Sequence, residues 1–192
     1  MHIKTKSLIL VTLFAALTAI GGFIRIPIPY VPFTLQIVSV YLSGALLGAK
    51  RGMMSQTLYV LVGLAGAPIF AEGGGPSYIF QPTFGYLIGF VLGAGVIGWV
   101  NQKMKSARLT NLLFANLCGL AVIYLIGCIW LYGDLRFILS TPITIKYAIV
   151  IGCLVSLPGD LLLGTLCTYL SARLVKVIKP EHIKLKEVKK VG

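Results

Sequence analysis

Leu157-Pro158-Gly159-Asp160-Leu161 sets a proline, a glycine and a carboxylate side by side near the middle of the last long apolar segment, about Tyr147 to Ala172. A carboxylate at that depth costs about 2.5–3.5 kcal/mol on insertion scales, and acids inside a span face a cavity or a bundle interior. Pro158 removes one backbone donor and frees the carbonyl of Leu154, while Gly159 leaves room for another backbone or a ligand. Two readings follow. One is a proline kink whose acid is tied to a neighbouring helix; the other, which we favour, is a site that binds something polar.

The depth is that of a membrane because the rest of the chain is as apolar as this segment. Of 192 residues, 57% are hydrophobic and only 11% charged, against about 25% charged in ordinary soluble domains. The length suits one compact bundle with no separate soluble domain, so residues 1–192 are expected to form a single membrane-embedded domain. The net charge of +12 does not signal nucleic acid, since the cations cluster between and beyond the apolar runs, as membrane topology requires. Cys118, Cys128, Cys153 and Cys167 all lie in apolar segments without C-x-x-C spacing. They read as small buried hydrophobes, not as a disulfide framework or metal site.

Five further spans are expected upstream of 147–172, at about 8–24, 33–49, 53–67, 82–101 and 109–131. Each approaches the roughly 20 residues that a bilayer core needs. The first follows Lys4 and Lys6 and has a signal-peptide flavour, but it is long enough to be a retained span. Arg25 to Pro32 holds three prolines and cannot be helical, so it is expected as a loop or re-entrant cap. The second span carries Thr34, Gln36, Ser39, Tyr41 and Ser43, which should turn one face into the bundle. Lys50-Arg51-Gly52 reads as a tight basic turn. The stretch from Ala71 to Ser77, with Gly73, Gly74 and Gly75, is expected to be the most flexible, either as a lid over a site or as an idle linker. Pro82 stands where helices start, and Gly85, Gly89 and Gly93 then form a smooth stripe for another helix or a flat ligand. Tyr132 to Lys146, including Asp134, Arg136 and Pro142, is expected as a polar loop.

The basic clusters fall at the N-terminus, at 50–51, at 103–108 and in the tail from Arg173, all on one side of a six-span chain. The opposite loops hold only Arg25, Arg136 and Lys146. The positive-inside rule then puts both termini in the cytoplasm.

Catalytic constellations are missing. His2 and His182 lie in the tails, no H-E-x-x-H occurs, and Asp160 has no facing carboxylate, so neither an enzyme nor a resident metal or cofactor is expected. The glycines at 73–75 lack the G-x-x-x-x-G-K-[ST] context of a phosphate loop. Active transport would therefore draw on an ion gradient or on a partner's ATPase.

Four stretches in order now carry a resemblance: Pro32-Phe33-Thr34-Leu35-Gln36, Gly63 to Phe70, Pro82-Thr83-Phe84-Gly85-Tyr86-Leu87-Ile88-Gly89-Phe90 and Pro158-Gly159-Asp160-Leu161. Together they closely resemble the BioY family, the biotin-specific substrate-capture (S) components of energy-coupling factor transporters. The resemblance implies an all-α membrane protein of six transmembrane helices in the cell membrane, with an outward-facing biotin pocket. Its implied partners are a transmembrane coupling protein and two cytoplasmic ATPases. Ala15 and Ala19 match the family's small-x-x-x-small motif, which docks the first helix on the coupling protein; inward packing of the same face is the competing reading. The chain departs from the family at Phe84, where glycine is frequent, and at Leu163, where lysine is frequent.

Biotin presents a ureido ring with two N–H donors and a carbonyl, a thioether ring, an alkyl chain and a carboxylate, and a pocket must answer each. Asp160 is the candidate acceptor for the ureido N–H groups, and Gln36 or Asn116 the donor to its carbonyl. Tyr41 and Tyr86 would flank the ring, with Gly73 and Gly74 closing over it. Gln36 and Asn116 read equally as interhelical hydrogen bonds, and Tyr41 as a core aromatic. Arg25, Arg136 and Lys146 are candidates for the carboxylate or simply solvated loop charges. Two other functions remain open at this point: a stand-alone proton-coupled carrier using Asp160, and a structural membrane protein without a small ligand.

Overall fold

The computed structural model describes residues 5–104, 108–140 and 143–178. Lys4, Lys105, Pro142 and the basic tail beyond Ile178 lie outside them. The first helix, α1 (Thr5–Phe23), buries Ser7, Val11, Phe14, Ala15, Thr18, Gly21 and Gly22 along one side. Its other side exposes Leu8, Ile9, Leu13, Leu17 and Ile20. A helix apolar all round suits a lipid-facing position in a bundle.

The prolines at 27, 29 and 32 do exclude helix, but the segment is more ordered than a loop. Strand β1 (Arg25–Ile26) pairs antiparallel with β2 (Phe33–Thr34), Arg25 opposite Thr34 and Ile26 opposite Phe33. The expected second span therefore begins later, at Gln36. Its helix, α2 (Gln36–Leu47), has only 12 residues, about 18 Å at the usual rise. It is buried nearly all round, not on one face as expected, because α1, α3, α4 and α7 all pack against it.

The turn after α2 falls at Gly48, whose φ of 81° is open to glycine. This lets α3 (Ala49–Leu64) start at once. Lys50 and Arg51 thus sit in a helical first turn, a correction to the basic turn expected at 50–52. The segment after α3 is a chain of tight turns. Phe70 and Gly73 exchange backbone bonds of 2.8 and 3.3 Å, Gly75 N–H donates to the Gly63 carbonyl at 2.8 Å, and Pro76–Phe80 forms a short 3-10 turn.

Helices α4 (Phe84–Met104) and α5 (Leu109–Gly133) make the most extensive helix pair. The glycine stripe is spent on that contact, with Gly85 against Trp130 and Gly89 and Gly93 against Ile123. Beyond α5 the chain stays helical through a π turn, Asp134–Ile138, and Asp134 is buried. The polar loop expected from Tyr132 is therefore overturned in its first half. The last span is interrupted: α6 (Ile145–Ile149) runs into a π turn, Val150–Leu154, and then a turn at Val155–Ser156 before α7 (Leu157–Ile178). Pro158 falls in the first turn of α7, where a missing N–H costs nothing.

Among the described residues the regular structure is helical apart from the two-residue strands, and the runs Thr5–Phe23, Phe84–Met104, Leu109–Ile138 and Ile145–Val175 are long and apolar enough to cross a membrane. Gly21 touches Gln36, Gly98 touches Ala49 and Gly85 touches Trp130, so successive helices alternate in direction. Lys6, Lys50, Arg51, Lys103, Arg108 and Arg173 consequently collect at one end. The hairpin and the 65–83 segment close the other.

Candidate functional site

The hairpin end holds a cleft with a cavity volume of about 60 Å³. That is well below the roughly 300–1,000 Å³ of ordinary small-molecule sites. Val31, Pro32, Phe33 and Thr34 of the hairpin form one wall; Tyr86, Leu87 and Phe90 of α4 with Ile123 and Tyr124 of α5 form another. Ala71, Tyr78 and Thr83 stand at the loop side, and Gly152, Ser156 and Asp160 come from the broken helix.

That break accounts for Asp160. Interrupting the span at Val155–Ser156 places the carboxylate in the first turn of α7, where the helix dipole favours negative charge and offsets part of its desolvation. Asp160 is 6% exposed. The Tyr124 hydroxyl donates to its Oδ2 at 2.5 Å, and the Tyr41 hydroxyl donates to its backbone carbonyl at 3.3 Å. Its Oδ1 has no partner among the described residues, which leaves one carboxylate oxygen for an N–H donor in the cleft. Phe33 lies against Gly159, one residue before the acid. The Tyr86 hydroxyl donates to the Gly152 carbonyl at 2.7 Å and ties α4 to the π turn. At the loop side, Thr83 donates to the Tyr78 hydroxyl at 2.9 Å. Burial, the larger effect, raises the Tyr78 pKa above the ordinary tyrosine value and keeps that hydroxyl neutral.

Of the residues singled out from sequence, Gln36, Tyr86 and Asp160 line the cleft. Gln36 is already engaged: its amide nitrogen donates to the Tyr59 hydroxyl and its oxygen accepts from Thr34 at 3.0 Å. Tyr41, 1% exposed, stands one layer behind the acid. Asn116 is farther still, donating to the Gly164 carbonyl at 3.3 Å and to Thr168 at 3.1 Å, a link between α5 and α7. Gly73 borders a separate hollow with Arg25 and Glu72, and Gly74 packs on Ala67. Their loop reaches the cleft through Ala71. Ala15 is 7% exposed on the inner side of α1, and Ala19 is half-buried at its edge. Neither Phe84 nor Leu163 lines the cleft; Phe84 stacks edge-on to Trp130, and Leu163 packs on the apolar core. All four cysteines are free.

Sequence reasoning missed Tyr124, Tyr78, Thr83 and Ser156. Tyr124 carried a usable signal, since a hydroxyl inside an apolar helix needs a partner and Asp160 was the one buried acid expected. Nothing in the chain marked Ser156, which enters the wall through the helix break.

An apolar bundle with helices long enough to cross a membrane, and a cleft that holds a buried acid from the first turn of its last helix, frames a membrane protein with a candidate small-molecule site. A family model described as the BioY family matches residues 1–180. The chain is 43% identical over 188 residues to the probable biotin transporter BioY of Lysinibacillus sphaericus, covering 97% of this chain and 96% of that one. It is 33% identical over 186 residues to the biotin transporter BioY of Rhodobacter capsulatus, covering 93% and 97%. A crystal structure of the S-component for biotin from an ECF-type ABC transporter superposes with a TM-score of 0.79 at 29% identity, covering 90% of this chain and 92% of that one. The chain belongs to the BioY family. It is accordingly a transport protein and not an enzyme, as its sequence led us to expect.

Proposed function

We propose that this protein captures biotin in the cleft from the outside of the cell membrane and delivers it as the S component of a transporter energised by a coupling protein and two ATPase subunits. The observation that carries the reading is the Oδ1 of Asp160, without a partner among the described residues, in a cleft lined by aromatic side chains. A ureido N–H donates to that oxygen, while Phe33, Tyr86, Phe90 and Tyr124 bound the fused rings. The remaining hydrogen of the Gln36 amide answers the ureido carbonyl. Tyr41, Asn116, Gly73 and Gly74 support the cleft from behind without touching the ligand. On a six-span topology, the positive-inside rule favours a cytoplasmic side for the basic ends of the helices and both termini, and the hairpin end then faces outward. Ala19, with Ala15 behind it, lets the coupling protein approach α1 closely.

Titration of the purified protein with biotin tests the capture, and uptake with and without the ATPase subunits tests the energising partner. Saturable binding with uptake only when the ATPases are present is expected. Uptake without them, abolished by a protonophore, would replace this reading with a proton-coupled carrier. No binding would sink both. A cysteine introduced in place of exposed Ser77, with the native cysteines replaced, should react in intact cells with an impermeant thiol reagent; protection there would invert the topology.

A further inference from the structure

Most hydroxyls inside this bundle are spent on the protein itself, and the cleft wall holds an exception. Within helices, Thr12, Thr18, Thr165 and Thr168 each donate to the carbonyl one turn back, at 2.8–2.9 Å. Around the cleft, Thr34 donates to Gln36, Thr83 to Tyr78, Tyr86 to the Gly152 carbonyl and Tyr124 to Asp160. Ser156 lines the same cleft and is 7% exposed, yet its Oγ has no partner among the described residues. Ser55 and Ser171 share that state, but neither lines the cleft.

The local sequence explains why this hydroxyl is left over. A serine in a helix ordinarily bonds back to the carbonyl four residues earlier, and one just before a helix accepts from an N–H of the first turn. Four residues before Ser156 is Gly152, whose carbonyl already takes the Tyr86 hydroxyl at 2.7 Å. Two residues after it stands Pro158, which has no N–H to offer. Even a capping oxygen would keep its own O–H to donate. The Asp160 N–H donates to the Ser156 carbonyl at 3.0 Å. The two residues therefore stand one helical turn apart on one side, where side chains are neighbours about 5–6 Å apart at Cβ. Asp160 brings a carboxylate oxygen, Oδ1, and Ser156 brings a hydroxyl hydrogen, each without a partner among the described residues.

We propose that Ser156 is a ligand-contact residue whose hydroxyl donates to the ureido carbonyl of biotin while Asp160 accepts the neighbouring ureido N–H. This rests on the cleft being the capture site for biotin. In a cyclic urea the N–H and C=O stand side by side along one edge, and an acceptor and a donor from consecutive turns of one helix complement that edge. A carbonyl oxygen has two lone pairs, so it takes Ser156 beside the Gln36 amide hydrogen. The contact also selects for oxygen at that position. A buried donor facing a weak acceptor loses its bond without regaining water.

The test titrates the purified full-length protein with biotin and with the analogue that carries C=S in place of the ureido C=O. Ser156→Ala should weaken biotin about fivefold, the loss of one hydrogen bond, and the poorer acceptor by less than about twofold. Ser156→Cys is close to serine in size but a weak donor, and should lose biotin affinity as Ser156→Ala does. Thermal unfolding of the same variants without ligand is followed alongside. A biotin affinity in Ser156→Ala within about twofold of the parent would overturn the contact, and if thermal stability fell at the same time Ser156 would be a helix cap. Equal losses for the two ligands in Ser156→Ala, or a Ser156→Cys variant that binds biotin like the parent, would overturn it in favour of a role in the shape of the wall. A parent protein that binds neither compound would refute the capture reading itself, and the contact with it.

Discussion

Asp160 and Tyr124 divide the work at the acid in a way that substitution can separate. Tyr124 donates to Oδ2 and leaves Oδ1 to the cleft, so the carboxylate is held in one orientation before any ligand arrives. Asp160→Asn keeps the shape and one acceptor, but brings an N–H against the ligand's own N–H. Removing one partner of a buried charge-assisted bond costs about 2–5 kcal/mol, or about 30-fold to several thousand-fold in affinity. Asp160→Asn should therefore weaken biotin nearly as much as Asp160→Ala does. Tyr124→Phe removes only the orienting bond and should cost about tenfold. Titration of the folded variants decides: an Asp160→Asn affinity within about threefold of the parent would remove the acid from the site. The acid was legible in the sequence because a carboxylate is costly in an apolar run and persists there only with a polar group to meet. Gln36 was legible only as a polar group, since the Thr34 and Tyr59 partners that consume most of its capacity come from outside its own helix.

At the scale of elements, the sequence marked where apolar runs lie better than where helices begin. Gly48 compresses the α2–α3 turn to one residue, and the pairing of Arg25–Ile26 with Phe33–Thr34 takes residues that periodicity would lend to α2. Neither follows from composition, because both depend on contacts across the chain. The break before α7 was half legible: Pro158 announced an interruption but not the π turn before it. The glycine stripe was legible as a smooth surface for another helix or a flat ligand, and the structure gives it to α5. A Cβ on Gly89 would stand 3.0 Å from the Ile123 backbone, whereas one on Gly133, at the end of α5, would meet nothing within 4 Å. Gly89→Leu should force α4 and α5 apart and destabilise the protein by at least the 1–3 kcal/mol typical of overpacking. Gly133→Ala should be neutral or stabilising by up to about 1 kcal/mol, since alanine is the better helix former. Thermal unfolding in detergent checks both, and a Gly89→Leu variant as stable as the parent would mean the two helices are not packed this closely.

For the whole molecule, the proposed capture and energisation would occupy different surfaces, and the two sides of the first helix are where that proposal can be tested. Its inner side holds Val11, Phe14, Ala15 and Thr18 against α2 and α3. Its outer side is Leu8, Ile9, Leu13, Leu17 and Ile20, and half-buried Ala19 lies on the boundary. Association in lipid relies on close packing, because lipid tails are as apolar as leucine. A small residue on the boundary can admit a partner helix; one on the inner side serves the bundle. The two alanines should therefore fail differently. Ala15→Trp must be accommodated inside the bundle, so it should lower thermal stability and weaken biotin binding together. Ala19→Trp projects at the edge, far along the chain from the acid and its tyrosine. It should bind biotin like the parent when purified alone, yet lose co-purification with the coupling protein and most uptake. Retained assembly in Ala19→Trp would move the docking surface off α1. Loss of stability and binding in both variants would mean that the whole alanine face packs inward and that the partner meets other helices.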